Sequence, residues 1–505
     1  MSLRVIVDNR LRFGTAELPE WVVQRLKDAF THRNPQHDKL KAMGKWPGKE
    51  PRFLTTWRED GSELSLPRGG TNRLRALLEE ADIAPRFKLD VADGEEWDCP
   101  EHSLPNGGKL AQFQLDAVEA VLKRQNCIVR SPTGSGKSSI GINLISRLRR
   151  TTIVMVWTGA LLKQWQDRLL AELPGLDPSN IGILGLGKRA ELRPITLAMQ
   201  QTVYSILQHD PELMDEIRRY FGLFIGDELQ RFAAKTLVES VDPFTARYRV
   251  GMSADERRVD GKEFLTYDVF GGIEVDVDQQ TLVDMNFVLD VEVRVVPTDF
   301  EAPWYVEEYT PEGNRNPLQH DFVRLLDAMV HDDERNRVVQ DTIAMAAREG
   351  GTLVFCHRVE HCQMLDRACV AMGVQSGLML GGASWSSTFD ETKRRLMEGS
   401  TRVGIGTFQA IGQAIDVPAV SRGVVATPVG SNRQLFGQVR GRMCRANRGG
   451  SDSAVVFVVW DRRVTGAKAL RNLLAWNRKV SVLAGGKWMD GKAYLKELRS
   501  GIPMF

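Results

Sequence analysis

Short apolar runs alternate with helical stretches over most of this 505-residue chain. Strands that alternate with helices are typical of a mostly parallel sheet covered by helices on both faces. The alternation occurs twice along the chain, which predicts two α/β lobes. The predicted strands of the first lobe are 127–129, 152–157, 195–198, 223–225 and 248–252. The predicted strands of the second lobe are 352–356, 403–406, 420–426 and 454–459.

The first 100 residues differ from the rest, because basic and aromatic side chains are interleaved there. Such groups suit a strand-rich module that contacts phosphates and stacks on bases. A small α/β domain with tryptophans in its core and lysines in solvent explains the same composition equally well. Both interpretations therefore stay open. The residues concerned are Lys39, Lys41, Lys45, Trp46, Lys49, Arg52, Phe53 and Trp57.

Shifts in composition divide the chain into five predicted segments. The acidic, proline-flanked stretch 90–105 is typical of a linker, and the irregular stretch 287–316 separates the two lobes. The end of the chain reads as basic and helical, with a loose end after Gly485 and Gly486. The predicted segments are an N-terminal accessory and possible DNA-binding domain (1–100), a first, nucleotide-binding α/β domain (101–290), an interdomain connection (291–350), a second α/β domain (351–465) and a basic C-terminal tail (466–505).

Bulk properties narrow the class of protein. The formal net charge is only +2, so any binding of nucleic acid has to depend on local basic patches. The six cysteines are scattered, which predicts a protein of a reducing cytoplasm, bacterial or that of a phage-infected host. No apolar run approaches membrane-spanning length, so no membrane association is expected. The composition identifies no stable protein partner.

The sequence SPTGSGKS, from Ser131 to Ser138, predicts a phosphate-binding loop. It follows an apolar strand-like run and opens a helical pattern, which is the geometry that cradles phosphates. Lys137 is expected to reach the β- and γ-phosphates, and the Ser138 hydroxyl can ligate Mg²⁺. The chain is therefore expected to bind a nucleoside triphosphate. The nucleotide-binding residues of this loop are Pro132, Thr133, Gly134, Ser135, Gly136, Lys137 and Ser138.

The apolar run 223–225 ends in two carboxylates, Asp227 and Glu228. In a phosphate-loop fold, Asp227 would hold Mg²⁺, and Glu228 would orient the water that attacks the γ-phosphate. An Asp–Glu pair alone is common on protein surfaces. A pair that follows a buried strand about ninety residues after a phosphate loop is a much stronger signal.

A second cluster of charged groups lies on the predicted helix that carries Gln438, Arg442 and Arg445. The two arginines are three residues apart and therefore share one face of the helix. Two guanidinium groups on one face can stabilise a transferring phosphoryl group as arginine fingers. A basic helix face in solvent, or on a nucleic-acid backbone, is the alternative. The triphosphate site predicted in the other lobe favours the arginine fingers.

The cysteines and histidines between 356 and 369 are candidate ligands for a metal ion. His357 and His361 would share a helix face, as zinc ligands can. However, Cys356 ends an apolar strand, where a cysteine is an ordinary core residue, and no Cys-x-x-Cys pair is present in the sequence. We therefore interpret this cluster as part of the fold.

Taken in order, these motifs resemble those of superfamily 2 helicases over roughly 109–463. Besides the phosphate loop and the Asp227–Glu228 motif, Gln114 resembles the glutamine that reads adenine. The segments around Thr158 and Gln200 resemble motif Ia and the DNA-contact motif that follows it. Arg358 lies in a segment that resembles motif IV, and 438–445 match the QxxGRxxR form of motif VI. The phage UvsW-like and XPB-like DNA helicases are the most similar branches.

The resemblance implies two tandem RecA-like domains that bind ATP and Mg²⁺, preceded by a small accessory domain. It also implies a further nucleotide contact at Asp416 in motif V. The residues that it implies for contacts with nucleic acid, mostly with phosphates, are Thr158, Thr196, Gln200, Arg358 and Thr407.

The expected function is that of an ATP-dependent DNA helicase or translocase that acts on single-stranded or branched DNA in replication, recombination or repair. Asp255 and Gln413 depart from the residues common in motifs III and V, which leaves room for an ATP-gated clamp or annealing factor that moves no strand. An RNA helicase is the third hypothesis. The sequence does not separate these three.

Overall fold

The computed structural model describes residues 2–44, 46–48, 50–185, 191–229, 232, 234–255, 260–285, 287–305, 319–414, 417, 420–428, 433–443 and 453–500. The chain divides into two compact units. The first comprises Met1–Pro132 and Gly136–Gln279, and the second comprises Thr133–Ser135 and Gln280–Phe505. Within the described residues, no helix is long and apolar enough to cross a bilayer.

The first unit opens with a small module that has its own five-stranded sheet, in the order β5-β6-β2-β1-β7. Its hydrophobic core includes Val5, Leu11 and Phe30, which are fully buried. A separate two-stranded ribbon, β3–β4, follows the first helix. The elements of the module are β1 (Ser2–Val7), β2 (Arg10–Gly14), α1 (Glu20–Ala29), β3 (Thr31–Arg33), α2 (Pro35–Ala42), β4 (Phe53–Thr55), β5 (Arg58–Asp60), β6 (Glu63–Pro67), α3 (Thr71–Glu80) and β7 (Ala84–Leu89).

Two arginines bind this module to the rest of the first unit. The Arg10 guanidinium is buried and pairs with Asp242 at 2.9 Å. The Arg68 guanidinium, also buried, donates hydrogen bonds to the backbone carbonyls of Ala246 and Arg247. Burying a guanidinium is costly unless its donors are satisfied, so these contacts fix the module in one position on the unit.

The rest of the first unit is a parallel seven-stranded sheet in the order β10-β11-β9-β12-β13-β8-β14. Its central strands are mostly apolar because helices cover both faces, and the buried Asp227 and Arg249 are exceptions. The elements are α4 (Gln112–Arg124), β8 (Asn126–Arg130), α5 (Lys137–Leu148), β9 (Thr152–Val156), α6 (Gly159–Glu172), β10 (Ile181–Leu184), β11 (Ile195–Met199), α7 (Gln200–His209), α8 (Pro211–Tyr220), β12 (Leu223–Asp227), α9 (Ala234–Val241), β13 (Tyr248–Ser253), α10 (Glu263–Phe270), β14 (Ile273–Asp276) and α11 (Gln279–Asp284).

The second unit contains an eight-stranded sheet in the order β17-β18-β16-β19-β20-β15-β21-β22, parallel except for its last strand. Its elements are β15 (Val291–Thr298), α12 (Gln319–Val330), α13 (Asp333–Glu349), β16 (Gly351–Cys356), α14 (Val359–Ala371), β17 (Ser376–Met379), α15 (Ser386–Met397), β18 (Val403–Thr407), α16 (Phe408–Ala414), β19 (Val420–Val425), α17 (Arg433–Met443), β20 (Ala454–Asp461), α18 (Arg462–Trp476), β21 (Val480–Ala484), β22 (Lys487–Asp490) and α19 (Gly491–Ser500).

The two large sheets share one topology. The order β11-β9-β12-β13-β8 in the first unit corresponds to β18-β16-β19-β20-β15 in the second. The prediction of two α/β lobes with parallel sheets is therefore confirmed. The five-segment division of the chain remains a prediction.

Two stretches differ from their expected local structure. Val291–Thr298, expected to be irregular, is a strand of the second sheet, between β20 and β21. The sequence predicts a loose chain end after Gly485 and Gly486. That prediction is wrong for the adjoining residues, because both glycines adopt positive φ in the turn that joins β21 to β22. A Gly-Gly turn between two short strands is a hairpin signal.

Candidate active site

The phosphate loop lies between β8 and α5, where the sequence predicts it. Gly134 and Gly136 adopt φ values of 93° and 80°, which side chains disfavour. Gly136 is constrained a second time, since a Cβ there would lie 2.3 Å from the Gln114 side-chain nitrogen. Lys137 is buried and its Nζ donates to the Ser131 carbonyl at 2.9 Å, inside its own loop. Ser138 is half-buried in the first turn of α5.

Gln114 packs against this loop from α4. Its Oε1 accepts a hydrogen bond from the Ala111 backbone N–H at 2.9 Å, which caps the start of the helix. The side chain is buried and its amide nitrogen faces Gly136. The structure therefore brings together the two sequence features predicted to bind nucleotide in this unit.

Asp227 is the last residue of β12 and is buried. Its Oδ2 accepts a hydrogen bond from the Trp165 indole N–H at 2.8 Å, and its Oδ1 accepts one from the Glu228 backbone N–H at 2.9 Å. Burial, and secondarily the charge of Glu228, raise the pKa of Asp227 to about 6, while the Lys137 charge opposes this rise. The carboxylate is thus desolvated and lies within the field of the loop lysine.

Glu228 has a backbone φ of 55°, in the left-handed region that non-glycine residues seldom adopt. Such a conformation costs on the order of 1–3 kcal/mol and is found disproportionately at functional sites. The hydrogen bond from its own N–H to Asp227 helps to hold this turn. The strained position coincides with the carboxylate predicted to orient the attacking water.

In the second unit, α17 carries Gln438 and Arg442 on one face, four residues apart. Arg442 donates a hydrogen bond to the Gly412 carbonyl at 3.0 Å, and a Cβ on Gly412 would lie 3.2 Å from Gln438 Oε1. Both motif VI side chains therefore pack against α16, which carries part of motif V. The predicted contacts at Arg445 and Asp416 lie outside the described residues.

Thr158 and Arg358 occupy equivalent positions in the two units. Each is the second residue after a corresponding strand, β9 or β16, and immediately precedes a helix. The Thr158 hydroxyl accepts from the Leu161 N–H at 3.3 Å, and the Thr407 hydroxyl accepts from the Ala410 N–H at 3.2 Å. Both threonines cap helix N-termini, which is where backbone N–H groups can receive a phosphate.

Thr196 and Gln200 are placed differently from the expectation that they contact nucleic acid. Thr196 lies at the amino end of β11, fully buried, and its hydroxyl donates to the Arg193 carbonyl at 2.9 Å. Gln200 is also buried, and its amide donates to the Thr236 hydroxyl at 3.0 Å. Because both side chains are buried and hydrogen bonded within the first unit, we leave both residues out of the surface proposed below.

The cysteines and histidines between 356 and 369 lie in and around the hydrophobic core of the second unit. Cys356 and Cys362 are fully buried in the hydrophobic cluster there. His361 is hydrogen bonded to Asn336 at 3.0 Å, and His357 to Thr427 at 2.7 Å. Burial lowers the pKa of His357 to about 4 and that of His361 to about 3, so both rings are neutral at physiological pH.

Trp165 is the site residue whose role sequence reasoning missed. It lies in the segment that resembles motif Ia, six residues after the first residue of α6. A tryptophan at that point of an apolar helix face reads as core, and its side chain is indeed fully buried. The one available signal was chemical, because a buried indole N–H usually requires an acceptor.

The fold and the site together define a phosphate-loop nucleotide-binding protein with two RecA-like α/β units. A family model described as the type III restriction enzyme res subunit matches residues 108–256. The DNA 3'-5' helicase XPB of Kineococcus radiotolerans is 26% identical over 367 residues, 71% of this chain and 60% of the relative. Probable helicase D10 of Escherichia phage T5 is 22% identical and covers 76% of this chain and 80% of its own length.

Among solved structures, a fragment of a putative HsdR subunit of a type I restriction enzyme from Vibrio vulnificus YJ016 aligns with a TM-score of 0.53 at 18% identity. The alignment covers 75% of this chain and 68% of the fragment. These findings confirm the predicted resemblance to superfamily 2 DNA helicases, including the XPB-like branch, and the tandem RecA-like fold class. The chain spans 60% of the length of the Kineococcus XPB helicase that it matches.

Proposed function

We propose that this chain is an ATP-dependent DNA helicase or translocase that unwinds or remodels branched or duplex DNA in replication, recombination or repair. The observation that carries the proposal is the arrangement at the carboxyl edge of the first sheet. There Lys137 follows β8 and lies in the same electrostatic environment as Asp227 and Glu228, which follow β12. A phosphate loop with this carboxylate pair is what hydrolysis of a nucleoside triphosphate requires.

The donor set suits Mg²⁺, which prefers hard oxygen ligands. Ser138 supplies a hydroxyl, and Asp227 supplies a buried carboxylate, whose pKa is raised by that burial. These two residues would hold the ion. When bound, Mg²⁺ neutralises negative charge on the β- and γ-phosphates.

Residues of this chain bind the phosphates, orient the attacking water and stabilise the transferring group. Lys137 and the loop backbone bind the phosphates, while Glu228 orients the water that attacks the γ-phosphoryl group. The bond to the β-phosphate then breaks, and ADP and phosphate leave. Arg442 and Arg445 stabilise the charge on the transferring group, and Gln438 and Asp416 contact the nucleotide, as the motifs predict.

Thr158, Arg358 and Thr407 are the proposed contacts with the DNA backbone. Two of them cap helix N-termini, and the third is a partly exposed arginine that immediately precedes a helix. Contacts of this kind position a strand without reading its sequence. The protein would act in the cytoplasm of a bacterium or of a phage-infected host.

The test is a measurement of ATP hydrolysis with no nucleic acid, with DNA and with RNA of equal length. We expect DNA to stimulate hydrolysis more than RNA, and Lys137→Ala to abolish it. Lys123→Ala, at an exposed position on α4, serves as the matched control and should retain it. If Lys137→Ala keeps its DNA-stimulated turnover, the assignment of the loop is wrong. Strand displacement on a forked duplex then distinguishes a helicase, which unwinds it, from a clamp or a duplex translocase, either of which hydrolyses ATP without displacing a strand.

A further inference from the structure

The β3–β4 ribbon and the helix and loop between its strands form a strap, defined here by the described residues from Thr31 to Thr55. The ribbon pairs His32 with Leu54 and Arg33 with Phe53. Neighbouring residues along a strand point to opposite faces, so the first pair and the second pair lie on different faces of the ribbon. The strap therefore has an inner and an outer face.

The inner face is docked on α10 of the same unit. The His32 ring stacks on Phe264 with ring centroids 4.3 Å apart, and its Nε2 lies 2.8 Å from Asp268 Oδ2. Asp268 is fully buried and also accepts from the Thr56 hydroxyl at 2.7 Å and pairs with Arg73 at 3.0 Å. Three groups of the N-terminal module thus converge on one buried carboxylate, which fixes the strap on the parallel sheet domain.

Two large aromatic rings of the strap are exposed to solvent, Phe53 on the outer face of the ribbon and Trp46 in the segment between α2 and β4. Trp46 is 86% exposed and Phe53 is 48% exposed, whereas most aromatic residues of this module pack in its core. The Arg52 guanidinium lies 5.3 Å from the centre of the Phe53 ring. An exposed ring of this size does not gain the free energy that burial would give it. Two such rings within one strap therefore indicate a binding surface.

The charge of the strap identifies the kind of partner. Residues 31–55 contain six lysines and arginines against two acidic residues, although the whole chain has 67 against 65. Basic side chains on the exposed surface include Arg33, Lys39, Lys41 and Arg52. Aromatic rings among basic groups match a polyanion with flat apolar faces, namely a nucleic-acid strand with unpaired bases.

We propose that the strap binds a single-stranded arm of DNA, with Trp46 and Phe53 stacked on unpaired bases and the surrounding basic groups on the phosphates. This inference rests on the proposed function and names the part of a forked substrate that the N-terminal module holds. Because the strap is docked on α10, which follows β13 along the chain, the module carries the arm as part of the first unit.

The test uses the full chain and a forked DNA with one single-stranded arm, without nucleotide, followed by fluorescence anisotropy. Trp46→Ala should raise the Kd about tenfold, because loss of one stacked base is worth that much or more. Trp46→Phe should raise it about twofold or less. Trp21→Ala is the matched control, since Trp21 is 57% exposed on α1 of the same module, and its Kd should stay unchanged.

Two further measurements distinguish stacking from a general loss of binding. On a fork whose arm carries abasic sites, the difference between wild type and Trp46→Ala should disappear. Arg52→Gln should reduce the slope of log K against log salt by about one, as expected for one lost phosphate contact. Both effects are independent of nucleotide hydrolysis.

The outcomes separate this inference from the proposed function. A wild-type chain that neither binds the fork nor hydrolyses ATP would overturn the proposed function itself. A wild-type chain that does both, with Trp46→Ala binding the intact fork equally well, would overturn the strap proposal alone and leave a protein partner as the occupant of this surface.

Discussion

The indole N–H of Trp165 donates a hydrogen bond of 2.8 Å to Oδ2 of Asp227, and both side chains are buried. Trp165 lies on α6, whose first residue follows Thr158, a proposed contact with the DNA backbone. One helix therefore begins next to a proposed DNA contact, Thr158, and seven residues later carries Trp165, which donates to the proposed Mg²⁺ ligand Asp227. This contact makes Trp165 a positioning residue.

The first prediction follows from that hydrogen bond. Trp165→Phe keeps a ring in place and removes the donor, so Asp227 is held less firmly. Partners that orient a metal ligand typically contribute about 10–100-fold to metal affinity. We expect the affinity for a fluorescent ATP analogue to fall about tenfold in Mg²⁺ and to change little in EDTA.

The control is Trp97→Phe, because the Trp97 indole N–H is buried and makes no hydrogen bond among the described residues. This variant should bind the analogue like wild type under both conditions. Equal losses with and without Mg²⁺ in Trp165→Phe would indicate a packing defect instead of a positioning role.

The second prediction concerns Asp227 and pH. Its pKa is about 6 in the folded protein and 3.8 ordinarily, so the folded state binds the proton more tightly. This tighter proton binding contributes about 3 kcal/mol to the free energy of unfolding. The contribution is fully present below about pH 4 and is lost as the pH rises through about 6. Asparagine cannot ionise, so the stability of Asp227→Asn relative to wild type should increase over this range.

The measurement is thermal unfolding of both proteins without nucleotide or divalent ions at pH 4.5 and 7.5. About 2 kcal/mol of the relative change should develop between these two values. The asparagine side chain has one acceptor oxygen instead of two, so the variant also loses one hydrogen bond. This loss shifts the stability difference between the two proteins by a constant amount and does not alter how that difference depends on pH. Exposed Asp60→Asn is the control. A difference between Asp227→Asn and wild type that is the same at both pH values would contradict the raised pKa.

The third prediction concerns the attachment of the N-terminal module. Arg10→Ala removes the partner of Asp242, which is buried, and leaves that charge largely uncompensated apart from Arg58. Breaking a buried ion pair from one side costs about 3–5 kcal/mol. We expect a loss of that order in the free energy of unfolding, measured by urea denaturation.

Arg25→Ala is the matched control in the same module. Its guanidinium pairs with Glu80, and both side chains are exposed. Pairs of this kind contribute less than about 1 kcal/mol. If the two alanine variants lose similar stability, the Arg10 pair does not hold the module as described.

The fourth prediction concerns α17. Arg442→Ala should bind ATP nearly as wild type does and hydrolyse it about 10³-fold more slowly, because an arginine finger acts mainly on the transition state. Equilibrium binding and single-turnover hydrolysis measure the two effects separately. Arg440→Ala is the control, since Arg440 donates to the Trp476 carbonyl from the same helix. An unchanged turnover number in Arg442→Ala would remove the finger role.

Sequence alone predicted the parts of this protein that depend on local pattern. Short apolar runs between helices indicated the two sheets, and the glycines of the phosphate loop indicated its turn. Val291–Thr298 was missed because Glu292, Arg294 and Pro297 interrupt its apolar pattern. In the structure the two charged residues pair with each other, and Pro297 is the last residue but one of the strand.

The missed parts of the site depend on contacts between distant segments. Nothing local in α6 indicates that Trp165 meets a carboxylate 62 positions further on. The burial of Thr196 likewise depends on strand order, because motif spacing does not show that its strand, β11, lies between β10 and β9 in the sheet. Asp268 reads as one more acidic residue on a helix until the N-terminal module is placed beside it.

The arginine contacts between the N-terminal module and the first sheet domain have an evolutionary consequence. Arg10 and Asp242 neutralise each other in the interior, so a change at one position costs less stability when the other position changes with it. The module and its lobe must then be inherited as one piece. Recombination between related genes should leave viable crossovers outside this span far more often than within it.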